Sequence, residues 1–276
     1  MKTLQNLMSV LLISALSFTS CNKAEDVELI QKVEVEVTTK QMQNEKNPHD
    51  QEGALHNSYL DFFAKKMDGK KEMNQDKLLK LYSEFYASQK MDFGDEQING
   101  YKKLFEAYDM MAIGRPLPVL PTNLCRWFPA ICDLFSPSPT FPFGLPTGLL
   151  NEDNGGTSTE RTLKFIEQIK ANETKLLADK SLTEEKREAL LSQHAVARYS
   201  AGYWHNVNAI QKSKSPYFET FQEADVQALC HTCDVVGADA AGAAVGALVG
   251  GVGAGPGAAV ASGAAVLEKA WKWFWN

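Results

Sequence analysis

The end of the chain, Val235 to Asn276, reads VVGADAAGAAVGALVGGVGAGPGAAVASGAAVLEKAWKWFWN and limits the fold more than any other stretch. From Ala240 to Leu267 no side chain is charged. Small residues recur at every fourth place: Ala238, Gly242, Gly246, Gly250 and Ala254, then Gly255, Ala259 and Gly263. At helical spacing such a row lies along one face and lets two backbones approach closely. Each glycine costs about 1 kcal/mol of helix stability relative to alanine, so the row needs tight packing against something. As one helix the uncharged run would be about 42 Å long, more than the ~30 Å of a bilayer core. Gly255-Pro256-Gly257 interrupts it near the middle, because proline breaks helix interiors. The expectation is a glycine-zipper helical hairpin with arms over residues 235–253 and 258–275.

Two environments are open to this hairpin. Asp239 in the first arm, and Glu268, Lys269 and Lys272 in the second, argue for packing within the protein, since a carboxylate at mid-membrane costs about 2.5–3.5 kcal/mol. Trp271, Trp273 and Trp275 around Lys272 argue for a membrane, because Trp and Lys belong at the water–lipid boundary. Gly242, Gly246, Gly250 and Gly263 are packing residues in both cases. In a soluble setting Asp239 is expected at a helix start or facing water.

The opposite end is an address. Lys2, the apolar run Leu7–Leu16 and the small residues before Cys21 read as a signal peptide over residues 1–20, too short to span a membrane. Ser17-Phe-Thr-Ser20 before Cys21 resembles a bacterial lipobox, which implies that Cys21 carries lipid, palmitate included. Asn22 resembles outer-membrane sorting. Lys23-Ala-Glu-Asp26 resembles the surface-export signal of Bacteroidota lipoproteins. Together these imply a surface-exposed outer-membrane lipoprotein held to membrane lipid through Cys21, with the hairpin as a further lipid contact. Four other cysteines, Cys125, Cys132, Cys230 and Cys233, are disulfide candidates, an even set suited to an oxidising compartment. Cys230-His-Thr-Cys233 also resembles a thiol–disulfide redox motif but lacks the βαβ context that motif needs. A four-cysteine zinc site is disfavoured by the compartment.

Between the ends the chain is helical in pattern, and the fold class expected is all-α: a multi-helix bundle with a proline-rich irregular loop and the C-terminal hairpin. Residues 21–46 are expected to be a tether, in which Val33-Glu-Val-Glu-Val37 alternates like a half-buried strand. A helical unit over 47–114 opens at Asn47-Pro48, a cap and first-turn pair, with Leu55, Tyr59, Phe62 and Phe63 on one side. Asp76–Gln89 and Asp95–Ile113 follow with apolar residues three and four apart. Eight of the eleven prolines fall between Pro116 and Pro146, which makes 115–157 an irregular segment. Residues 158–233 hold a helical hairpin and a linker helix, the first arm capped at Ser158 or Thr159, the second at Thr183. Leu163, Phe165, Ile166, Ile169, Leu176 and Leu177 mark the buried side of the first arm. Residues 234–276 are the zipper.

The run NPHDQEGALHNSYLDFF (Asn47–Phe63) resembles the "NPxD…G…HNxxLD" opening of a group of Bacteroidota lipoproteins that end in a glycine-zipper tail. Tyr199-Ser-Ala-Gly-Tyr-Trp204 resembles a second element of their pattern. The resemblance covers the two ends and one middle motif, and implies the lipoprotein reading without implying a reaction.

The residues themselves point to no catalytic site. There is no nucleophile elbow, P-loop, Rossmann fingerprint or zincin motif. His49, Glu52, His56 and Asp61 share helix faces but not the His-Glu-x-x-His spacing of zinc hydrolases. His56 and Asn57 are therefore expected to hydrogen-bond another element, with His205-Asn206 as a pair that could meet them. No metal, cofactor or catalytic residue is expected, and a net charge of −6 excludes an electrostatic footprint for nucleic acid. The functional expectation is a cell-envelope lipoprotein that presents its zipper to membrane or to a protein partner, in the sharpest form a bacteriocin-like or pore-forming effector. The alternative is a passive binding or scaffold lipoprotein with the zipper packed internally.

Overall fold

A computed structural model describes residues 33–67, 75–102, 145–150 and 155–211, together with Val236, Asp239, Ala240, Gly242, Ala243, Gly246 and Ala247 of the tail. The described residues are helical, with no strand among them, and form an all-α bundle. In chain order the helices are α1 (Thr39–Met42), α2 (Asp50–Met67), α3 (Gln75–Ser88), α4 (Ser158–Ala178) and α5 (Glu184–His205). Residues 95–102 are also helical. A 3-10 turn at Thr147–Leu150 precedes α4, and α5 runs on as π-helix over Asn206–Gln211.

Helix α5 is the centre. From Ala189 to His205 every residue except Tyr203 is buried, so α5 is covered on all sides, as only a central helix is. Helices α2 and α4 both lie along it. The α4–α5 hairpin read from the sequence is present, but α5 is its core member rather than one of two equal arms. Thr183 caps α5, accepting from the Lys186 N–H. Helix α4 is capped one residue earlier than expected: the Thr157 hydroxyl takes the Glu160 N–H while the Glu160 carboxylate takes that of Thr157, a capping box. Phe165, Ile166 and Ile169 are buried as expected, whereas Leu177 is exposed and Glu173 is fully buried.

Two glycines set how closely α2 and the N-terminal segment approach α5. A Cβ on Gly53, in the first turn of α2, would run into the Tyr199 ring and lie 2.6 Å from the Ala195 carbonyl oxygen. A Cβ on Gly202 would meet the Met42 side chain, with Val37 Cγ1 at 3.2 Å. A backbone carbonyl cannot yield and a methionine can. Gly53→Ala is therefore expected to lose about 1–3 kcal/mol from overpacking, despite alanine's better helix propensity, and Gly202→Ala to lose less. Urea unfolding of both variants checks the order.

Aromatic rings join α2, α3 and the helical residues 95–102. Tyr59 stacks on Tyr82 at 4.5 Å and Tyr82 on Tyr101 at 4.1 Å, with Phe85 edge-on to Tyr59 at 5.2 Å. Burial pushes the phenols of Tyr59, Tyr82 and Tyr101 up, and that of Tyr86 up to about 12. The folded phenols thus stay protonated where unfolded ones ionise, near 10.0. Their contribution to stability is complete below pH 10 and is lost as pH rises beyond it. In a phenolate absorbance titration these four tyrosines should ionise only with unfolding.

The expected tether is not free along its length. The patch Val33–Val37 is extended but pairs with no strand, and its alternation does not bury its valines: Val33 is 76% and Val35 57% exposed, and only Val37 is buried. The alternation marks backbone contacts instead. From Glu34 onward the segment is fastened to α4 and α5, and α1, with its Thr38–Gln41 capping box, continues it. At the next turn the Asn47 side chain accepts the His49 N–H at 2.9 Å, and α2 begins at Asp50 rather than at Pro48.

Candidate functional site

Helix α5 carries polar residues on every face, and each face meets a different part of the chain. Toward α2 and α4 stands Arg198, fully buried. Its Nε and Nη2 donate to Glu173 Oε1 at 3.0 and 2.9 Å, Nη2 to Asp50 Oδ1 at 2.7 Å, and Nη1 to the Met42 carbonyl. Glu173, also fully buried, accepts from Asn44 Nδ2 at 2.5 Å and Asn47 Nδ2 at 2.6 Å. Tyr199 donates its hydroxyl to Asp50 Oδ2 at 3.0 Å, and Tyr203 donates to Asp61 Oδ1 at 3.1 Å. Asn57 Nδ2 donates to the Tyr199 carbonyl at 3.1 Å. The two motif runs quoted above, Asn47–Phe63 and Tyr199–Trp204, are thus the two sides of one joint.

At its C-terminal end α5 holds the N-terminal segment. The Glu34 carboxylate accepts the N–H groups of Ser158 and Thr159, both at 2.8 Å, at the positive end of α4. Burial works to raise the Glu34 carboxyl. The Ser158 N–H, the Thr159 hydroxyl, the Thr159 N–H and nearby His205 outweigh it and hold the group below its ordinary value of 4.5. This clamp is complete above pH 4.5 and weakens as pH falls through the lower folded value. His205 Nε2 faces the Val35 carbonyl at 2.9 Å, which can only accept; in the neutral ring Nδ1 therefore accepts from Ser158 Oγ at 3.0 Å. Ser158 and His205 thus form a hydroxyl–imidazole pair. Its histidine is buried, and the helix N–H groups beside it are taken by Glu34. Asn206 closes the clamp, exchanging hydrogen bonds with the backbone of Val37 at 2.8 and 2.9 Å.

The third face lies under the tail. Asp239 is fully buried, and its Oδ2 accepts from Ser200 Oγ at 2.5 Å and Trp204 Nε1 at 3.0 Å, with His56 Nε2 of α2 at 3.4 Å. His56 Nδ1 lies 2.9 Å from Asn57 Oδ1. Four residues further along the tail, Ala243 packs with Val196; four further again, Ala247 packs by Val196, Ala189 and Leu190. The described part of the first arm therefore runs antiparallel to α5. Val236 and Ala240 join the main core beside Trp204. The row on α5 is Asp239–Ala243–Ala247, one place along from the glycine row; Gly242 and Gly246 are helical and buried.

Asp239 corrects the expectation that, in a soluble protein, it would start a helix or face water. His56 and Asn57 do bond other elements, but His56 goes to Asp239 and His205 to the N-terminal segment, so the two histidine–asparagine pairs do not meet. Among the described residues no group of three His, Cys, Asp or Glu could hold a metal ion, and no helix is long and apolar enough to cross a membrane. Cys21, Cys125, Cys132, Cys230, Cys233, Gly250, Gly263, Trp271, Trp273 and Trp275 lie outside the described residues, and so do the proline-rich run 116–142 and the second arm of the hairpin. The sequence reasoning missed Arg198, Glu173, Ser200 and Trp204 as partners of the joint. No family model, curated protein or solved structure matches the chain.

Proposed function

We propose that this chain is a cell-envelope lipoprotein, anchored to the outer membrane through Cys21, whose helical body holds the glycine-zipper arm ready for contact with a membrane. The observation that carries this reading is the way the arm is held. Among its described residues, Val236 and Ala240 enter the main core, Ala243 and Ala247 lie on α5, and the buried carboxylate of Asp239 meets His56, Ser200 and Trp204. The alanines and glycines that make it a weak core element suit close helix–helix packing in lipid. The bacteriocin-like or pore-forming version follows if several arms pack together there.

A second reading has its own support. Asp239 is completely buried and hydrogen-bonded to the body, which suits a scaffold or partner-binding lipoprotein whose arm never leaves α5. Neither reading involves catalysis. Fractionation of cells carrying the wild type, Cys21→Ser, or a chain ending before Val235 separates them. On the membrane reading, Cys21→Ser leaves the envelope incompletely because the arm still contacts lipid, and removal of Val235–Asn276 together with Cys21→Ser releases the protein fully. If Cys21→Ser alone is fully soluble and purified unlipidated protein ignores phosphatidylethanolamine–phosphatidylglycerol vesicles at neutral and mildly acidic pH, the scaffold reading replaces it.

A further inference from the structure

From the path of the N-terminal segment we infer that residues 34–47 are a strap: they lie in a groove between α4 and α5 and leave it as one unit, with the α4–α5 hairpin folded in both states.

The order of contacts defines the groove. At one end Glu34 meets the Ser158 and Thr159 N–H groups; at the other Asn47 Nδ2 meets Glu173 Oε1 and the Leu191 carbonyl. Between them Val37 meets Asn206, the Gln41 carbonyl accepts from Lys170 Nζ at 2.7 Å, and the Met42 carbonyl accepts from Arg198. As the segment advances, its partners climb α4 from residue 158 to 173 and descend α5 and its continuation from 206 to 191. That path is about 22 Å of helix on each side at 1.5 Å per residue. Many of these bonds reach the backbone of the segment: the N–H groups of Val35 and Val37 donate to Thr159 and Asn206, and their carbonyls face His205 and Asn206. Side chains of a helix pair thus read an extended backbone, as a groove holds a peptide.

The seat is one-sided. Val37, Met42 and Asn47 are buried at five-residue spacing, whereas Val35, Glu36, Lys40, Gln43 and Glu45 are exposed. The hairpin beneath has bonds of its own. Phe165, Ile166 and Ile169 share a core with Ala197, Ala201 and Trp204, and Arg187 Nη2 closes the turn on the Asp179 and Leu182 carbonyls at 2.8 and 3.1 Å. Arg198 keeps Glu173 and Asp50 when the Met42 carbonyl goes. A layer covered on one face only, lying on an element that stands by other contacts, opens locally. For a chain anchored at Cys21, release adds residues 34–47 to the leash, up to about 50 Å of extended chain. That consequence rests on the lipoprotein reading; the strap itself does not.

Amide exchange on the purified full chain with Cys21→Ser tests the unit. Corrected for sequence, the amides of Val35, Val37 and Met42 should exchange at a common rate, faster than those of α5 and of α4 beyond its first turn. Glu34→Gln removes the charge at the α4 N-terminus and should speed all three about tenfold, the effect of one weakened charged hydrogen bond, leaving those helices unchanged. Speeding at Val35 and Val37 but not at Met42 overturns the unit. A Cβ on Gly202 lies 2.9 Å from Met42 Cγ, within reach of a disulfide. With Met42→Cys and Gly202→Cys oxidised, residues 35, 37 and 42 should exchange only as slowly as α5, and reduction should free them, with the wild type under the same reductant as control. Strap amides that exchange only with α5 in the wild type, or equally fast in the oxidised and reduced pair, overturn the strap. On a supported bilayer of phosphatidylethanolamine and phosphatidylglycerol, neutron reflectometry should place the body of the acylated protein farther out in Glu34→Gln than in the oxidised pair; equal heights overturn the two reaches. If exchange shows the unit but Cys21 carries no lipid, the strap stands and the lipoprotein reading falls.

Discussion

Replacing Arg198 with methionine should lower the unfolding free energy by about 3–5 kcal/mol, the cost of leaving a buried ionic group without its partner. The guanidinium is fully buried and serves Glu173, Asp50 and the Met42 carbonyl together. Without it Glu173 keeps its two amide donors, Asn44 and Asn47, but its charge has no counter-ion. Lysine should not rescue, because one ammonium cannot reproduce a planar fork that meets three acceptors on three segments. The double change Arg198→Met with Glu173→Met should be less damaging than Arg198→Met alone, since removing both charges removes the uncompensated one. Guanidinium unfolding curves of the four proteins decide this; a loss below about 1 kcal/mol for Arg198→Met would mean that water reaches Glu173.

Asp239→Leu is expected to weaken the hold on the first arm by roughly 3 kcal/mol, since each buried group left unpaired costs about 1–3 kcal/mol. It would orphan the Trp204 N–H and the Ser200 hydroxyl and remove the acid facing His56. Asp239→Asn should lose less, because its side-chain carbonyl can still accept from Trp204. The loss appears as reduced amide protection over residues 239–247 and at Trp204. Equal protection in wild type and Asp239→Leu would show that the carboxylate adds nothing to the docking.

Helix positions were largely legible in the sequence. A stripe read as Asp76–Gln89 is the helix Gln75–Ser88, and Thr183 caps α5. Spacing reveals such elements because apolar residues three and four apart need one face covered. It does not reveal that α5 is covered on every face. Ser192, Gln193, His194, Arg198 and Ser200 interrupt the apolar pattern, and polar residues on a helix ordinarily mark its solvated side. The partners of Arg198 and Ser200 lie far along the chain, Asp50 148 residues from the one and Asp239 39 residues from the other. One local signal was present. Gly53 sits inside a helical pattern, as the fourth residue of α2, and its reason is the close approach of Tyr199 and Ala195. Small residues inside helices, at Gly53 and Gly202, mark where another segment comes close.

The reach of Arg198 also fixes an order of assembly. Its partners Met42 and Asp50 precede it by 156 and 148 residues, whereas Glu173 precedes it by 25. A ribosome adding about 5–20 residues per second leaves roughly 7–30 s between making Asp50 and making Arg198. Throughout that interval residues 34–67 exist without the helix they pack against, and Tyr199 and Ala195 are not yet there for Gly53 to meet. Hairpin α4–α5, made of neighbours, can form first. The earliest-made segment then closes onto it, so folding runs from the later part of the chain back to its beginning, and a chain halted before α5 has no scaffold for what has already been made.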